Sequence, residues 1–289
     1  MTPRPPAAYA LAMWIGLSVL CALALASSDL FSKKAMTRGE ADEATIIWAR
    51  YLVALPFALP LLLFGIPHLS IRFFWLQAIA FPLELFALLL YMRAIRLSPL
   101  SLTLPFLSLT PAFLLAVGFV FLREIPGAVQ AAGVLLVVVG GYLLSGEGWV
   151  PLVAIKKEPG PWLMIAVSLI YAFTAALGKL LINESSPTFF PAYYLFAMTL
   201  LLSPIALIRK RRLRFSRNVI LAGLFHAAMV ITHIFAVVMT QVSYMIALKR
   251  LSGLFGVIYG RLFFGEKKML RRLIAAGIMF TGALLVSLG

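Results

Sequence analysis

Two adjacent basic residues, Lys249 and Arg250, lie near the middle of a long apolar stretch of the sequence. An ionised side chain at the centre of a bilayer costs at least about 2.5–3.5 kcal/mol, so residues of this kind are functional candidates. The stretch contains no acidic residue that could neutralise them. Because arginine forms forked hydrogen bonds with carboxylate or phosphate and lysine supplies a point charge, the pair predicts a binding site for an anion.

Titratable side chains also recur on two other apolar stretches that are 142 residues apart. Glu84 and Tyr91 are separated by seven residues on the first stretch, as are His226 and His233 on the second. Residues seven apart share one face of a helix. We expect Glu84, Tyr91 and His233 to contact the substrate. Glu84 carries a coupling proton, with His226 or His233 as exchange partner, or it neutralises the basic pair across a cavity, and the two roles do not exclude each other.

The other polar residues of the apolar stretches fall into two groups. Four charged residues close to predicted helix ends, where long side chains reach the interface, are expected to be structural: Asp29, Lys33, Arg50 and Lys179. Of these, Arg50 and Lys179 are also candidates for a cavity mouth. Polar and proline residues of one further stretch are expected to bend its helix and line the cavity: Ser101, Thr103, Pro105, Ser108 and Pro111. Ser108, the first-half equivalent of Arg250, is included in the predicted substrate site.

The composition identifies the solvent around these residues. The chain has 289 residues, of which 63% are apolar or aromatic and 12% charged, and its mean hydropathy is +1.02. A soluble domain of this size cannot bury so large an apolar fraction, so a bilayer must surround the chain. Cys21 is the single cysteine, which excludes a disulfide framework and a cysteine-ligated metal site. No cofactor is predicted, and the net charge of +15 is better explained by basic cytoplasmic loops than by nucleic-acid binding.

Runs of about 20 apolar residues, long enough to cross a bilayer, predict ten helical spans. Their approximate ranges are 9–31, 44–64, 73–94, 98–121, 126–145, 161–183, 187–208, 218–239, 241–263 and 271–288. The connections are short, so an all-helical membrane protein without a soluble domain is expected.

Internal repetition divides the ten spans into two halves, residues 1–147 and 148–289. A shift of 142 residues superposes Ser101 on Ser243 and Glu124 on Glu266, and a shift of 146 superposes Lys33 on Lys179. The first span therefore belongs to the fold, although it resembles a cleavable signal peptide. Because each half has five spans, the second half is inverted relative to the first, as in many secondary transporters.

Loop charge predicts the orientation of the chain in the membrane. Seventeen lysine and arginine residues flank the odd-numbered connections, and three lie on the opposite face. The odd-numbered connections, including the basic run 209–218, are thus predicted to be cytoplasmic, with both termini outside.

The fifth span carries no charge, the tenth carries only Arg271 and Arg272 at its start, and both are rich in glycine: Gly133, Gly140, Gly141, Gly277 and Gly282. We expect these spans to lie at the periphery, as packing helices or as the interface of a homodimer, and spans 1–4 and 6–9 to form a central cavity. On the ninth span, Gly253, Gly256 and Gly260 share one stripe with Lys249. This stripe is either a helix-packing groove or a bare surface against which an anion is held.

The ends of the fourth and ninth spans carry a family resemblance. Phe121-Leu-Arg-Glu124 and Phe263-Phe-Gly-Glu266 each close an apolar helix with a glutamate and precede a glycine-containing apolar helix. With ten spans in two repeats, the chain resembles the EamA-type branch of the drug/metabolite transporter superfamily. The segment 247–252 is similar to the Lys-Arg pair with which plastid phosphate translocators of that superfamily hold phosphate. The resemblance implies a ten-helix transporter.

The leading hypothesis is a secondary transporter of a bacterial inner membrane that moves a small organic anion by alternating access, together with a proton or a counter-substrate. Exporters of amino acids and flippases of lipid phosphates are alternatives within transport. An alternative from a different class is a membrane-embedded enzyme on a lipid phosphate, with Glu84, His226 or His233 as acid and base. Phosphate-binding glycine loops and HExxH zinc motifs are absent from the sequence.

Overall fold

A computed structural model describes residues 7–122, 127–145, 158–208, 214–240, 242–267 and 269–288. Within these ranges the chain is helical, with short turns and no strand. The helices of the first half are α1 (Ala7–Thr37), α2 (Glu43–Ala58), α3 (Ile71–Leu97), α4 (Leu100–Thr103), α5 (Leu109–Leu122) and α6 (Ala128–Ser145). Those of the second half are α7 (Pro159–Asn183), α8 (Phe189–Ile208), α9 (Arg217–Met239), α10 (Val242–Lys249), α11 (Leu251–Phe264) and α12 (Met269–Leu288).

The prediction of ten apolar helical spans is confirmed. In the described part of the chain, seven helices are long and apolar enough to cross a membrane: α1, α2 with its 3-10 extension Leu59–Phe64, α3, α7, α8, α9 and α12. Two shorter apolar segments, Leu100–Ala116 and Ala128–Gly140, form the fourth and fifth spans. The ninth span consists of α10 and α11.

The main contacts between helices reflect a symmetry between the two halves of the chain. The first span packs on the eighth (α1 on α9), and the third packs on the sixth (α3 on α7). The second span packs on the seventh (α2 on α8), and the fifth packs on the tenth (α6 on α12). Exchanging the halves converts the first pair into the second and leaves the other two pairs unchanged, although the second span also packs on the eighth (α2 on α9), a contact that the third and seventh spans do not repeat to the same extent. This is the relationship expected of an inverted repeat.

Side-chain caps set where three of the long helices begin. Asp42 and Thr45 form a reciprocal capping box at the start of α2, with Asp42 Oδ1 accepting from Thr45 N at 2.9 Å. Ser70 and Ser216 cap α3 and α9 by accepting single hydrogen bonds from Phe73 N and Val219 N. Each cap satisfies amide groups that the first turn of a helix leaves unpaired.

Polar contacts show that the odd-numbered connections share one face of the bundle. Glu40, after the first span, accepts a hydrogen bond from Ser216, before the eighth, at 2.6 Å. Ser98, after the third span, donates to Glu158, before the sixth, at 2.6 Å. We call this side the odd face and the opposite side the even face. Which face is cytoplasmic stays a prediction, and residues 209–213 of the basic run lie outside the described residues.

The fourth and ninth spans are both interrupted, and at equivalent positions. A 3-10 segment, Leu104–Ser108, separates α4 from α5, because Pro105 has no N–H to continue the helix. In the ninth span, Arg250 lies in a tight turn between α10 and α11, and its N–H is shared between the carbonyls of Ile246 and Ala247. Since Ser108 and Arg250 are 142 residues apart, both repeats break their fourth helix at the same place.

The glycines of the fifth and tenth spans pack these two helices against each other. A Cβ atom at Gly133 would lie 2.7 Å from the carbonyl oxygen of Gly282, and one at Gly140 would lie 2.9 Å from that of Ala275. The packing interpretation is therefore confirmed for Gly133, Gly140 and Gly282, whereas Gly277 has open space around it. The homodimer stays a prediction.

The glycine stripe of the ninth span is also a packing groove. A Cβ atom at Gly253 would lie 3.0 Å from Cα of Pro105, and one at Gly256 would lie 2.6 Å from a side-chain carbon of Leu104. The idea that an anion is held against bare backbone at these glycines is wrong, because the interrupted fourth span covers them.

Candidate functional site

A central cavity of about 160 Å³ lies between the two halves of the bundle. Its described lining comes from spans 1–4 and 6–9 and includes no residue of spans five and ten. The prediction that the fifth and tenth spans lie outside the cavity wall is confirmed. The polar lining residues are Arg50, Tyr51, Glu84, Tyr91, Tyr171, Thr174, Lys179, Tyr194, His226, His233, Lys249 and Arg250.

The basic pair lies on the cavity wall at the break of the ninth span. Lys249 is the last residue of α10, and Arg250 forms the turn that precedes α11. Arg250 is only 4% exposed, and its Nε has no hydrogen-bond partner. In the described part of the chain, neither residue forms a salt bridge. The structure thus places two cations without a direct counter-ion in one cavity.

Glu84 lies on the same cavity but is not bound directly to the basic pair. Its carboxylate accepts a hydrogen bond from the hydroxyl of Tyr194 at 3.4 Å, and Tyr194 in turn lies 2.8 Å from the hydroxyl of Tyr51. No described salt bridge joins Glu84 to Lys249 or Arg250. Lys249 is nevertheless close enough to interact electrostatically with Glu84.

A second charged cluster, which the sequence analysis missed, lies beside the first. Arg50 pairs with Asp29 at 3.4 Å between Nη1 and Oδ1, and the other carboxylate oxygen of Asp29 accepts a short hydrogen bond from Tyr91. Arg50 also contacts Nδ1 of His226 at 3.1 Å. Residues of four different spans therefore meet around one guanidinium. The opposite charges of Asp29 and Arg50 on neighbouring spans are the sequence feature from which this pair could have been predicted.

The structural assignment of Asp29 and Arg50 to helix ends is wrong. α1 continues to Thr37, so Asp29 lies eight residues inside it and is fully buried. Arg50 lies in the middle of α2 and lines the cavity. Lys33, near the end of the helix, donates from its ammonium group to the carbonyl of Ser98 at 2.6 Å. The structural assignment of Lys33 is thus consistent with the geometry.

Lys179 lies at the end of the cavity nearest the even face. Its ammonium group donates to the carbonyl oxygens of Val237 and Thr240, where α9 ends. A cation at this position compensates the negative end of the helix dipole. Lys179 therefore both lines the cavity and stabilises its wall.

The other residues of the predicted substrate site differ in their access to the cavity. Tyr91, His226 and His233 line it, and His233 has a buried Nδ1 without a partner. Ser108 is 2% exposed and is not part of the lining, whereas the preceding residue, Leu107, is. Ser108 lies at the end of the 3-10 segment that turns the fourth span.

Glu266, which ends the ninth span, caps the fourth span of the other repeat. Its carboxylate accepts hydrogen bonds from the backbone N–H groups of Leu100, at 3.0 Å, and Ser101, at 3.1 Å. Arg272 pairs with the same carboxylate at 3.3 Å. Glu266 is thus a helix-end charge, as expected, and also fixes the start of α4. Its first-half equivalent, Glu124, lies outside the described residues.

Comparisons with known proteins identify the same architecture. The sequence model of the EamA-like transporter family matches residues 12–146 and 158–288, one match for each half. A comparison with curated protein sequences finds no match. A solved structure described as "Crystal structure of protein" is similar with a TM-score of 0.63 and 13% sequence identity, over 93% of this chain and 98% of that chain. At this identity the similarity shows the fold alone.

Proposed function

We propose that this chain, which belongs to the EamA-like transporter family, is a secondary transporter that moves a small organic anion across the membrane by alternating access. The observation that supports this substrate class is the basic pair. Lys249 and Arg250 share the wall of a central cavity and have no direct counter-ion in the described part of the chain. A phosphorylated or carboxylated metabolite would supply the missing charge.

The charge balance of the cavity favours an anion over a cation. Its described lining includes four cations, Arg50, Lys179, Lys249 and Arg250, and one carboxylate, Glu84. Arg50 is paired with Asp29, and Lys179 is bound to carbonyls at a helix end. A buried charge is costly unless it is paired, so an anion that binds beside Lys249 and Arg250 relieves a cost that the empty protein bears.

The position of the pair suits a transport site. Discontinuous helices form the substrate sites of many inverted-repeat transporters, and the N-terminal end of a half-helix favours an anion. Arg250 directly precedes the N-terminus of α11 and lies at the break of the ninth span. Rearrangement of the two repeats around this break would expose the same site to alternate faces.

The cavity extends toward one face of the bundle, as expected of one state in an alternating-access cycle. Its lining extends to Lys179, Val237 and Val242, at helix ends on the even face. Toward the odd face it ends at the charged cluster around Arg50. Beyond this cluster, the contact between Lys33 and Ser98 joins two helices at the odd face. We infer that the structure represents the state accessible from the even face, which the loop charges predict to be outside a bacterial inner membrane.

A zwitterion such as an amino acid is the second candidate substrate. Glu84 is the observation that favours it, since this carboxylate lies on the same cavity and interacts electrostatically with Lys249. An amino acid could place its carboxylate at Lys249 and Arg250 and its ammonium group at Glu84. Alternatively, Glu84 or His233 exchanges a proton with the substrate.

A thermal-shift screen of the purified protein tests the substrate class, because a ligand that binds only the folded state raises the melting temperature. The screen compares phosphorylated metabolites, dicarboxylates, amino acids and a polyprenyl phosphate. We expect small phosphorylated or carboxylated anions to stabilise the protein and their neutral analogues to have no effect. Stabilisation by the polyprenyl phosphate alone would instead support a lipid flippase or a lipid phosphate enzyme, and stabilisation by cations alone would reject the proposal.

A matched pair of variants separates binding at the site from a general charge effect. Arg250→Ala removes a cation from the cavity wall, whereas Arg261→Ala removes one from an exposed position of the same span that does not line the cavity. The proposal requires that only the first substitution abolish stabilisation by the anion.

A further inference from the structure

Arg50 has a counter-ion within the protein, the carboxylate of Asp29. Its Nη1 lies 3.4 Å from Oδ1 of Asp29, whereas charge-assisted hydrogen bonds of this kind usually measure about 2.7–2.9 Å. Its Nε is buried and has no partner. The guanidinium is therefore held by Asp29 only loosely, and part of its hydrogen-bonding capacity is unused.

The two members of this pair differ in their access to the cavity. Arg50 belongs to the cavity lining, while Asp29 does not and is completely buried behind it. A ligand in the cavity can thus reach the guanidinium without reaching the carboxylate. An anion that approaches Arg50 from the cavity would compete with Asp29 for the same cation.

We propose that Arg50 is a second anion-binding residue, which the substrate takes from Asp29, and that Asp29 then binds a proton. The inference rests on the proposed function, because it assumes an anionic substrate in this cavity. In this step the substrate anion replaces the Asp29 carboxylate as the partner of Arg50, and one proton from solvent converts that carboxylate to a carboxylic acid. Substrate and proton therefore bind together.

The surroundings of Asp29 explain why it would need the proton. Helices α2, α3, α9, α10 and α11 all pack against α1. The titratable or charged groups on these helices that face Asp29, directly or through Arg50, are Arg50, Tyr91, His226 and Lys249, and Tyr171 of α7 also interacts with it. Tyr259 of α11 is bound to Ser27 instead.

Neighbours on α1 itself do not replace Arg50. The hydroxyls of Ser28 and Ser32 donate to backbone carbonyls, and Lys33 donates to Ser98. When Arg50 turns to the substrate, Asp29 keeps the hydrogen bond from Tyr91 and only a longer-range interaction with Lys249. An unpaired buried carboxylate is costly, and protonation removes that cost.

Substitutions of Asp29 and Arg50 should have opposite effects on affinity for the anion, and a third substitution serves as the control. Asp29→Asn removes the competing anion, so affinity for the substrate anion should rise, by about tenfold or more. Arg50→Gln removes the shared cation, so affinity should fall by a similar factor. Glu43→Gln is the matched control, since Glu43 pairs with Arg96 at 2.6 Å away from the cavity lining, and it should leave affinity unchanged.

The experiment uses the purified full-length chain and two probes that are fully ionised at pH 8, succinate and phenyl phosphate. Binding is measured by calorimetry, and protons are measured with an indicator dye in weakly buffered solution. We expect the wild-type protein to take up about one proton for each bound anion, and its affinity to fall as the pH rises. Asp29→Asn should bind the anion without proton uptake and with little pH dependence.

The outcomes separate this inference from the proposed function. Binding that depends on Lys249 but involves no proton uptake in the wild type, or uptake that persists in Asp29→Asn and is lost in Glu84→Gln, would overturn the inference and leave the anion transporter intact. Failure of both probes to bind either the wild type or Asp29→Asn would overturn both proposals. The wild-type measurement decides the matter even if a variant does not fold.

Discussion

Arg50 of the second span and His226 of the eighth are joined by a hydrogen bond of 3.1 Å from Nη2 to Nδ1. A guanidinium can only donate, so Nδ1 of His226 is the acceptor and the hydrogen of the neutral imidazole is on Nε2. Nε2 is buried without a partner, and His226 belongs to the cavity lining. In this geometry, His226 is a neutral imidazole that accepts from Arg50 and keeps its donor on Nε2.

The relationship predicts how His226 can be replaced. His226→Asn keeps an acceptor close to the position of Nδ1, whereas His226→Leu leaves Arg50 without that partner. A hydrogen bond to a charged group contributes about 1.5–3 kcal/mol, so the leucine variant should unfold at a lower temperature than the asparagine variant. Melting curves of both proteins in the same detergent would show this, and equal melting temperatures would mean that the bond contributes nothing to stability.

Two glycines of the peripheral helices should respond in opposite ways to the same change. At Gly133 a Cβ atom would meet the backbone of Gly282, which cannot rotate away, so Gly133→Ala should destabilise the protein by about 1–3 kcal/mol. Gly277 has open space around its Cα, so Gly277→Ala should be neutral or stabilising by about 0.5–1 kcal/mol. Denaturation measurements compare the two variants with the wild type. If Gly133→Ala is as stable as Gly277→Ala, the two helices do not pack as described.

Glu84→Gln tests whether this carboxylate balances charge or carries the coupling proton. In the present account Glu84 balances Lys249, so its removal should leave anion affinity unchanged or raise it by up to about tenfold. Transport driven by a pH gradient should persist, because the proton binds at Asp29. Transport assays in liposomes provide the measurement. Loss of pH-driven transport with intact exchange of substrate would identify Glu84 as the proton carrier instead.

The predicted orientation can be tested with single cysteines at exposed positions of the two faces. Arg38 lies in the first connection, on the odd face, and His68 lies in the second, on the even face. We expect His68→Cys to react with an impermeant reagent in intact cells and Arg38→Cys to react only after the cells are permeabilised. The native Cys21 is buried and provides the background. The reverse pattern would show that both termini are inside.

Much of the fold was predictable because the bilayer imposes a simple rule on the sequence. Apolar length located the ten spans, and the shift of 142 residues related Ser108 to Arg250, where the structure breaks both helices. The placement of the fifth and tenth spans outside the cavity followed from their glycine-rich sequences, but the polar and proline residues of the fourth span do not line the cavity as expected, and Leu107 is the member of that span that does. The glycines were harder to interpret. A glycine such as Gly253 looks the same in the sequence whether it faces a ligand or packs against another helix, and the structure shows that it packs against Pro105.

The charged cluster around Arg50 could not be derived from local sequence. Asp29 and Arg50 are both close to the ends of apolar runs, where an interfacial position is the simplest expectation. The structure instead places Asp29 eight residues inside α1 and Arg50 in the middle of α2, and both are buried by residues that are distant in sequence, such as His226. Long-range packing therefore decided a question that span prediction alone leaves open.

The central claim is that Lys249 and Arg250 hold an anionic substrate, and its most direct test is the affinity of the purified protein for the anion found in the thermal-shift screen. We expect Lys249→Ala and Arg250→Ala each to weaken binding by about 2–5 kcal/mol, because the anion would remain buried without its partner. Arg250→Lys should also bind poorly if the contact is a two-pronged fork. Arg261→Ala should bind as the wild type does. If Lys249→Ala and Arg250→Ala both retain wild-type affinity and transport, the anion does not bind at this pair, and a cationic or neutral substrate held by Glu84 becomes the better account.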